Sequence, residues 1–86
     1  MPKLTAAEKK WLKKVQDVLD ECPSDRIAFY TIGDHDLHAY DVDKYDEISA
    51  YQDRKWNADF CTAVDACDAS FEEKLLFKNP VESTSG

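Results

Sequence analysis

Between Trp11 and Cys22 the apolar residues fall at positions 11, 12, 15, 18, 19 and 22 and nowhere else. Steps of one, three, three, one and three trace a single stripe of a 3.6-residue period, so this segment must be an amphipathic helix with one face to cover. Its start is marked by Thr5 and Glu8, spaced as a capping box in which hydroxyl and carboxylate satisfy backbone N–H groups in both directions. Its end is marked by Pro23, which cannot continue a helix and pushes Cys22 away from the α region.

The rest of an 86-residue chain has room for one small sheet and little more. Arg26 to Ile32 is rich in β-branched and aromatic residues and stops at Gly33. Gly33 to Asp36 carries turn chemistry, and Leu37 to Tyr40 returns as a second strand, making a hairpin. Tyr45, Ile48 and Tyr51 lie three apart, with Asp43 as a cap and Asp46 and Glu47 in the favoured first turn, which predicts a helix over about 44–54. Asn57 can cap a further short helix whose apolar positions are Phe60, Cys61, Val64 and Cys67. In 70–77, Phe71, Leu75 and Phe77 share a face at period two, which favours a third strand. The expected fold is α+β, in the order α-β-β-α-α-β. It is a two-layer domain over residues 1–80, with the N-terminal helix packed on an antiparallel sheet and a mobile polar tail over 81–86.

Charge is distributed unevenly. Lys3, Lys9, Lys10, Lys13 and Lys14 against Glu8 leave +4 over residues 1–16, whereas the remainder of a chain of net −7 carries −11. The first helix holds its lysines in its first half and Asp17, Asp20 and Glu21 in its last turns, both against its own dipole. Such lysines could serve an acidic partner or nucleic acid. Neutralisation by the acidic body is favoured instead, because basic clusters this small bind phosphates weakly.

Catalytic signatures are weak. With glycine only at 33 and 86, the chain has no phosphate-cradling loop and no GxSxG elbow, so a non-enzymatic role without a cofactor is expected. Cys22, Cys61 and Cys67 lack zinc-knuckle spacing, and the thiols read as structural. No apolar run approaches the roughly 20 residues of a membrane span, and MPKLTAAEKK lacks a signal-peptide h-region, which predicts a cytoplasmic location.

Seven carboxylates and one lysine lie in 34–53. Asp34, Asp36, Asp41, Asp43, Asp46, Glu47 and Asp53, interleaved with Tyr40, Tyr45, Tyr51 and, further on, Trp56, form the expected partner-binding set. An acidic body disfavours direct nucleic-acid binding and suits a partner with a basic surface, while aromatic side chains anchor interfaces. A homodimer is a further option, since a thin core leaves apolar surface to cover. The alternative is a small metal-binding protein or metal-dependent enzyme built on Asp36 and His38, which would share a strand face.

Cys22-Pro-Ser-Asp-Arg26, Tyr30-Thr-Ile-Gly-Asp34 and Glu82-Ser-Thr-Ser-Gly86 resemble segments of small accessory proteins of enterobacterial phages and prophages. The resemblance implies a protein acting in the cytoplasm of a bacterial host. Small acidic proteins of that kind often inhibit host defence or host enzymes, which implies an inhibitor or modulator of a host protein. The carboxylate array itself suits a nucleic-acid-handling target, whose cationic groove it would enter by mimicry of nucleic-acid charge.

Overall fold

Thr5 and Glu8 form the expected reciprocal cap, with Thr5 N–H donating to Glu8 Oε1 at 2.7 Å and Glu8 N–H donating to Thr5 Oγ1 at 3.1 Å. They open helix α1 (Ala6–Asp20) of the computed structural model, which describes residues 1–32, 35–56 and 58–82. Strands β1 (Ile27–Tyr30), β2 (Asp36–Asp41) and β3 (Ser70–Leu76) follow in an antiparallel sheet of order β1-β2-β3. A 3₁₀ turn (Val42–Lys44) leads from β2 into α2 (Tyr45–Arg54), and α3 (Phe60–Ala66) precedes β3. The chain is therefore an α+β domain in the order α-β-β-α-α-β.

Strand alternation divides the sheet. Ala28 and Tyr30 of β1 pair with Tyr40 and His38 of β2, and these side chains share the face that α2 and α3 cover. The core there is Tyr40, Ile48, Ala63, Val64 and Ala69, rimmed by Val42, Tyr51, Phe60 and Cys67. Tyr40 and Phe60 meet edge to face at 5.2 Å, and Tyr30 meets Phe60 at 5.5 Å, the arrangement that ring quadrupoles prefer. Ile27, Phe29, Leu37, Ala39 and Leu75 occupy the opposite face, where Ile27, Phe29 and Leu75 stay exposed.

The local signals that build the second layer differ in detail from expectation. Asp43 does not cap α2; Asp41 caps the preceding turn by accepting from Asp43 N–H at 3.0 Å. Asp59 caps α3 by accepting from Thr62 N–H at 2.8 Å, and Asn57 lies outside the described residues. Asp68 takes φ 54° at the end of α3, while Asp68 N–H donates to Asp65 O and Ala69 N–H to Val64 O, closing a Schellman motif. Lys44 Nζ donates to the Cys67 and Asp68 carbonyls, placing a cation at the negative end of the helix.

Strand β3 runs over the expected segment, but its period-two run breaks. Its register against β2 shifts between His38 and Tyr40, and Glu72 stands at φ 59° with its N–H donating to Ser70 Oγ. The bulge separates Phe71, which lies under the Arg26 guanidinium at 4.9 Å, from Leu75. Helix α1 lies beside Leu75, on the far side of the sheet from α2 and α3, and none of its residues is buried. The molecule is accordingly elongated, 49 × 29 × 19 Å, with a radius of gyration of 15.8 Å against about 12 Å for a compact chain of this length. Of the tail, residues 83–86 lie outside the described residues.

Candidate interaction surface

The acidic set splits into two groups. Asp36 and Asp41 are used inside the fold. Asp36 is buried, with Oδ2 3.5 Å from Lys74 Nζ and Oδ1 3.5 Å from His38 Nε2, and Asp41 Oδ2 lies 3.7 Å from Arg26. Tyr40 is likewise in the core at 7% exposure and offers nothing to a partner. Burial pushes its phenol upward, with the neighbouring Tyr45 adding to the shift. The reason is register: Tyr40 shares the face of Tyr30 and His38, which α3 covers through Phe60. Asp34 lies outside the described residues.

The second group faces solvent. Asp46, Glu47 and Asp53 project from α2 away from buried Ile48, and Asp43 precedes them on the 3₁₀ turn. Asp59, Asp65 and Asp68 extend the exposed acidic surface along α3. Among the described residues, ion pairs form at Lys13–Asp17, Arg26–Asp41 and Lys74–Asp36, so the exposed carboxylates of this layer make no ion pair within the fold. Asp59 alone is occupied, as a cap; hydrogen bonds from the Thr62 N–H and hydroxyl hold its carboxyl below the ordinary carboxylate range. Tyr45 is 50% exposed and Trp56, just past α2, is 89% exposed. Tyr51 is half-buried against the core, with the Arg54 guanidinium 6.0 Å from its ring.

The metal reading centres on Asp36 and His38. The two are adjacent, but the Lys74 ammonium stands where a cation would be drawn, and His38 stacks on Tyr30 at 5.2 Å. Asp36 Oδ1 and His38 Nε2 are buried without a hydrogen-bond partner. Among the described residues no group of three or more His, Cys, Asp or Glu is placed to hold a metal ion. Two donors beside an ammonium make a poor site, because structural metals take four or more ligands.

Among the described residues, Tyr30 has the most shifted titration. Burial, then its hydrogen bond to Cys61 Sγ at 4.0 Å and the nearby Cys61 and Asp65 charges, push the phenol up to about 12. The folded state holds this proton more tightly than the unfolded chain, where a phenol titrates near about 10. Stability should be complete below pH 10 and fall by about 1–2 kcal/mol as pH rises to 12. Urea midpoints at those two pH values should converge in Tyr30→Phe, with Tyr40 supplying the slope that remains; an unchanged slope would remove Tyr30 from the account.

What the sequence reading did not place on the surface is the α1 stripe. Trp11, Leu12, Val15, Val18 and Leu19 are 36–68% exposed and line two open grooves, of about 440 Å³ with Asn79 and about 290 Å³ with Leu75. The hint was the charge order of the helix, since a core helix has no use for charges set against its dipole. No described helix is long and apolar enough to cross a membrane. Geometry thus defines a small α+β domain with an acidic helical layer on one side and an uncovered apolar helix on the other. Comparison of the chain with family models, curated proteins and solved structures finds no match.

Proposed function

We propose that this chain is a non-enzymatic interaction protein whose α2–α3 layer binds a basic surface on another protein. The observation that carries the reading is the set of exposed carboxylates Asp43, Asp46, Glu47, Asp53 and Asp65, none held by an internal cation, with Tyr45 and Trp56 exposed beside them. Carboxylates free of local partners keep their field for an incoming cationic surface, which raises association rates, while exposed aromatic rings supply contact area. The partner class follows from the charge: a host protein whose basic groove ordinarily receives nucleic acid, so that the acidic layer competes as a charge mimic. The resemblance to phage accessory proteins supports a role in a bacterial cytoplasm, against a nucleic-acid-handling or defence protein.

Asp46→Lys/Glu47→Lys/Asp53→Lys reverses the α2 edge at exposed positions without touching the core. Capture from bacterial lysate should yield partners at about 50 mM salt that are lost at about 500 mM, because exposed charges are screened at that strength. The same partners should be lost by the triple variant and released by heparin. Equal capture by the variant, or capture indifferent to salt and heparin, would refute the reading.

A further inference from the structure

We infer that α1 pairs antiparallel with α1 of a second copy of this chain, and that the protein is a two-fold symmetric dimer joined along the Trp11–Leu19 stripe. This goes beyond the acidic layer, which lies on the other side of the sheet.

The first argument is area. The chain exposes 7261 Å², about 2,000 Å² more than the roughly 5,200 Å² expected of a folded 9.9 kDa monomer. A standard interface takes about 800 Å² from each partner, so the excess is ample for one. The exposed apolar side chains of α1 are contiguous. The five stripe residues share two grooves with Leu4, Leu75 and Asn79, and a helix seated on the stripe would cover Leu75 as well. Leu12, Val15, Leu19 and Cys22 recur at three- and four-residue steps, the spacing of a helix–helix seam, with Trp11 and Val18 widening it.

The second argument is charge. Along α1 the lysines lie before Val15 and the carboxylates, the capping Glu8 excepted, after it, so a two-fold axis at Val15 brings largely unlike ends together. At 100° per residue, Lys9 and Asp20 lie roughly 60–80° beyond Leu12 on one side of the stripe, and Lys10 and Glu21 as far beyond Val18 on the other, where Lys14 stands nearer the seam and meets Lys14 of the second copy. Like edges meet in an antiparallel pair. Lys9 then falls opposite Asp20 of the second copy and Lys10 opposite its Glu21, each within about one residue rise of 1.5 Å. Trp11 faces Leu19 and Leu12 faces Val18 by the same operation. Lys13 sits on the far side of the helix, already paired with Asp17 at 3.2 Å. The charges that oppose the dipole of a lone α1 thus face the opposing dipole of a partner helix, which they suit. A parallel pair would set the four lysines of α1 against one another, where the antiparallel pair does so at Lys14 alone.

Sedimentation of the full chain should give twice the 9.9 kDa chain mass at about 100 μM. Val15→Glu/Val18→Glu should be monomeric while keeping its far-ultraviolet spectrum, because α1 contributes no buried residue to the monomer. Lys9→Glu/Lys10→Glu and Asp20→Lys/Glu21→Lys should each dimerise at least about 10-fold more weakly than wild type, and their equimolar mixture should restore the dimer as a heterodimer. A wild-type monomer at that concentration would overturn the proposal. A dimer indifferent to the α1 charges, or one requiring a different protein on the stripe, would do so equally. The charge pairs lie away from α2, so the outcome is independent of capture by the acidic layer.

Discussion

Ile48→Ala should lower the unfolding free energy by about 3 kcal/mol and the melting temperature by about 15 °C, among the largest losses available from a single truncation. Ile48 and Val64 are the largest side chains fully removed from solvent. Ile48 is also the one buried residue of α2, so the attachment of that helix to Tyr40 and Val64 depends on it. Deleting three carbons there loses their transfer free energy and leaves a cavity in the cluster of Tyr40, Ala63, Val64 and Ala69 that small side chains cannot readily fill. A domain of 86 residues has only about 4–13 kcal/mol in total, so the change consumes much of it. Urea denaturation followed by tryptophan fluorescence and by circular dichroism checks the value. A loss under about 1 kcal/mol would mean that the α2–α3 layer relaxes freely around the gap.

Lys74→Met should cost about 2 kcal/mol although Lys74 itself is half-exposed. The cost falls on Asp36, whose buried carboxylate loses the ammonium 3.5 Å away and keeps only His38 beside it. Restoring water to Asp36 would require opening the β2–β3 pairing at Leu76. The double variant Asp36→Val/Lys74→Met should recover most of the loss, since two apolar groups leave no charge stranded and valine suits a strand. Urea midpoints of the single and double variants, read as a double-mutant cycle, separate this from a packing effect. Equal losses in both would show that Lys74 acts through its methylene stem and not its charge.

Local signals carried most of the fold into view. Thr5, Glu8 and Pro23 bound α1 by chemistry confined to a few residues, and the β-branched run at 26–32 needed no distant partner to read as a strand. Positions that depend on distant contacts were less legible. Strand β2 has apolar residues on both faces, Leu37 and Ala39 against Tyr40, so alternation alone does not say which face α3 covers. That choice sent Tyr40 and Asp36 inside and left Tyr45, Asp46, Glu47 and Asp53 outside. The bulge at Glu72 was hidden because its left-handed residue is not glycine, and only the hydrogen bond to Ser70 Oγ marks the place. The α1 stripe is the subtlest case. Its period shows an apolar face, yet nothing in its sequence told that the rest of the described chain leaves that face uncovered.

The order of pairing in the sheet also sets a timetable. Strand β2 follows β1 after only five residues, but Tyr40 meets Ser70 only after the twenty-nine residues between them, including α2 and α3, have been drawn into a closed loop. Closing that loop costs chain entropy before any β3 hydrogen bond repays it, so the hairpin and the two short helices should already be in contact when the rate-limiting barrier is crossed. Substitutions along β3 should then act mainly on how fast the protein unfolds, and those joining the hairpin to Ile48 and Val64 on how fast it folds.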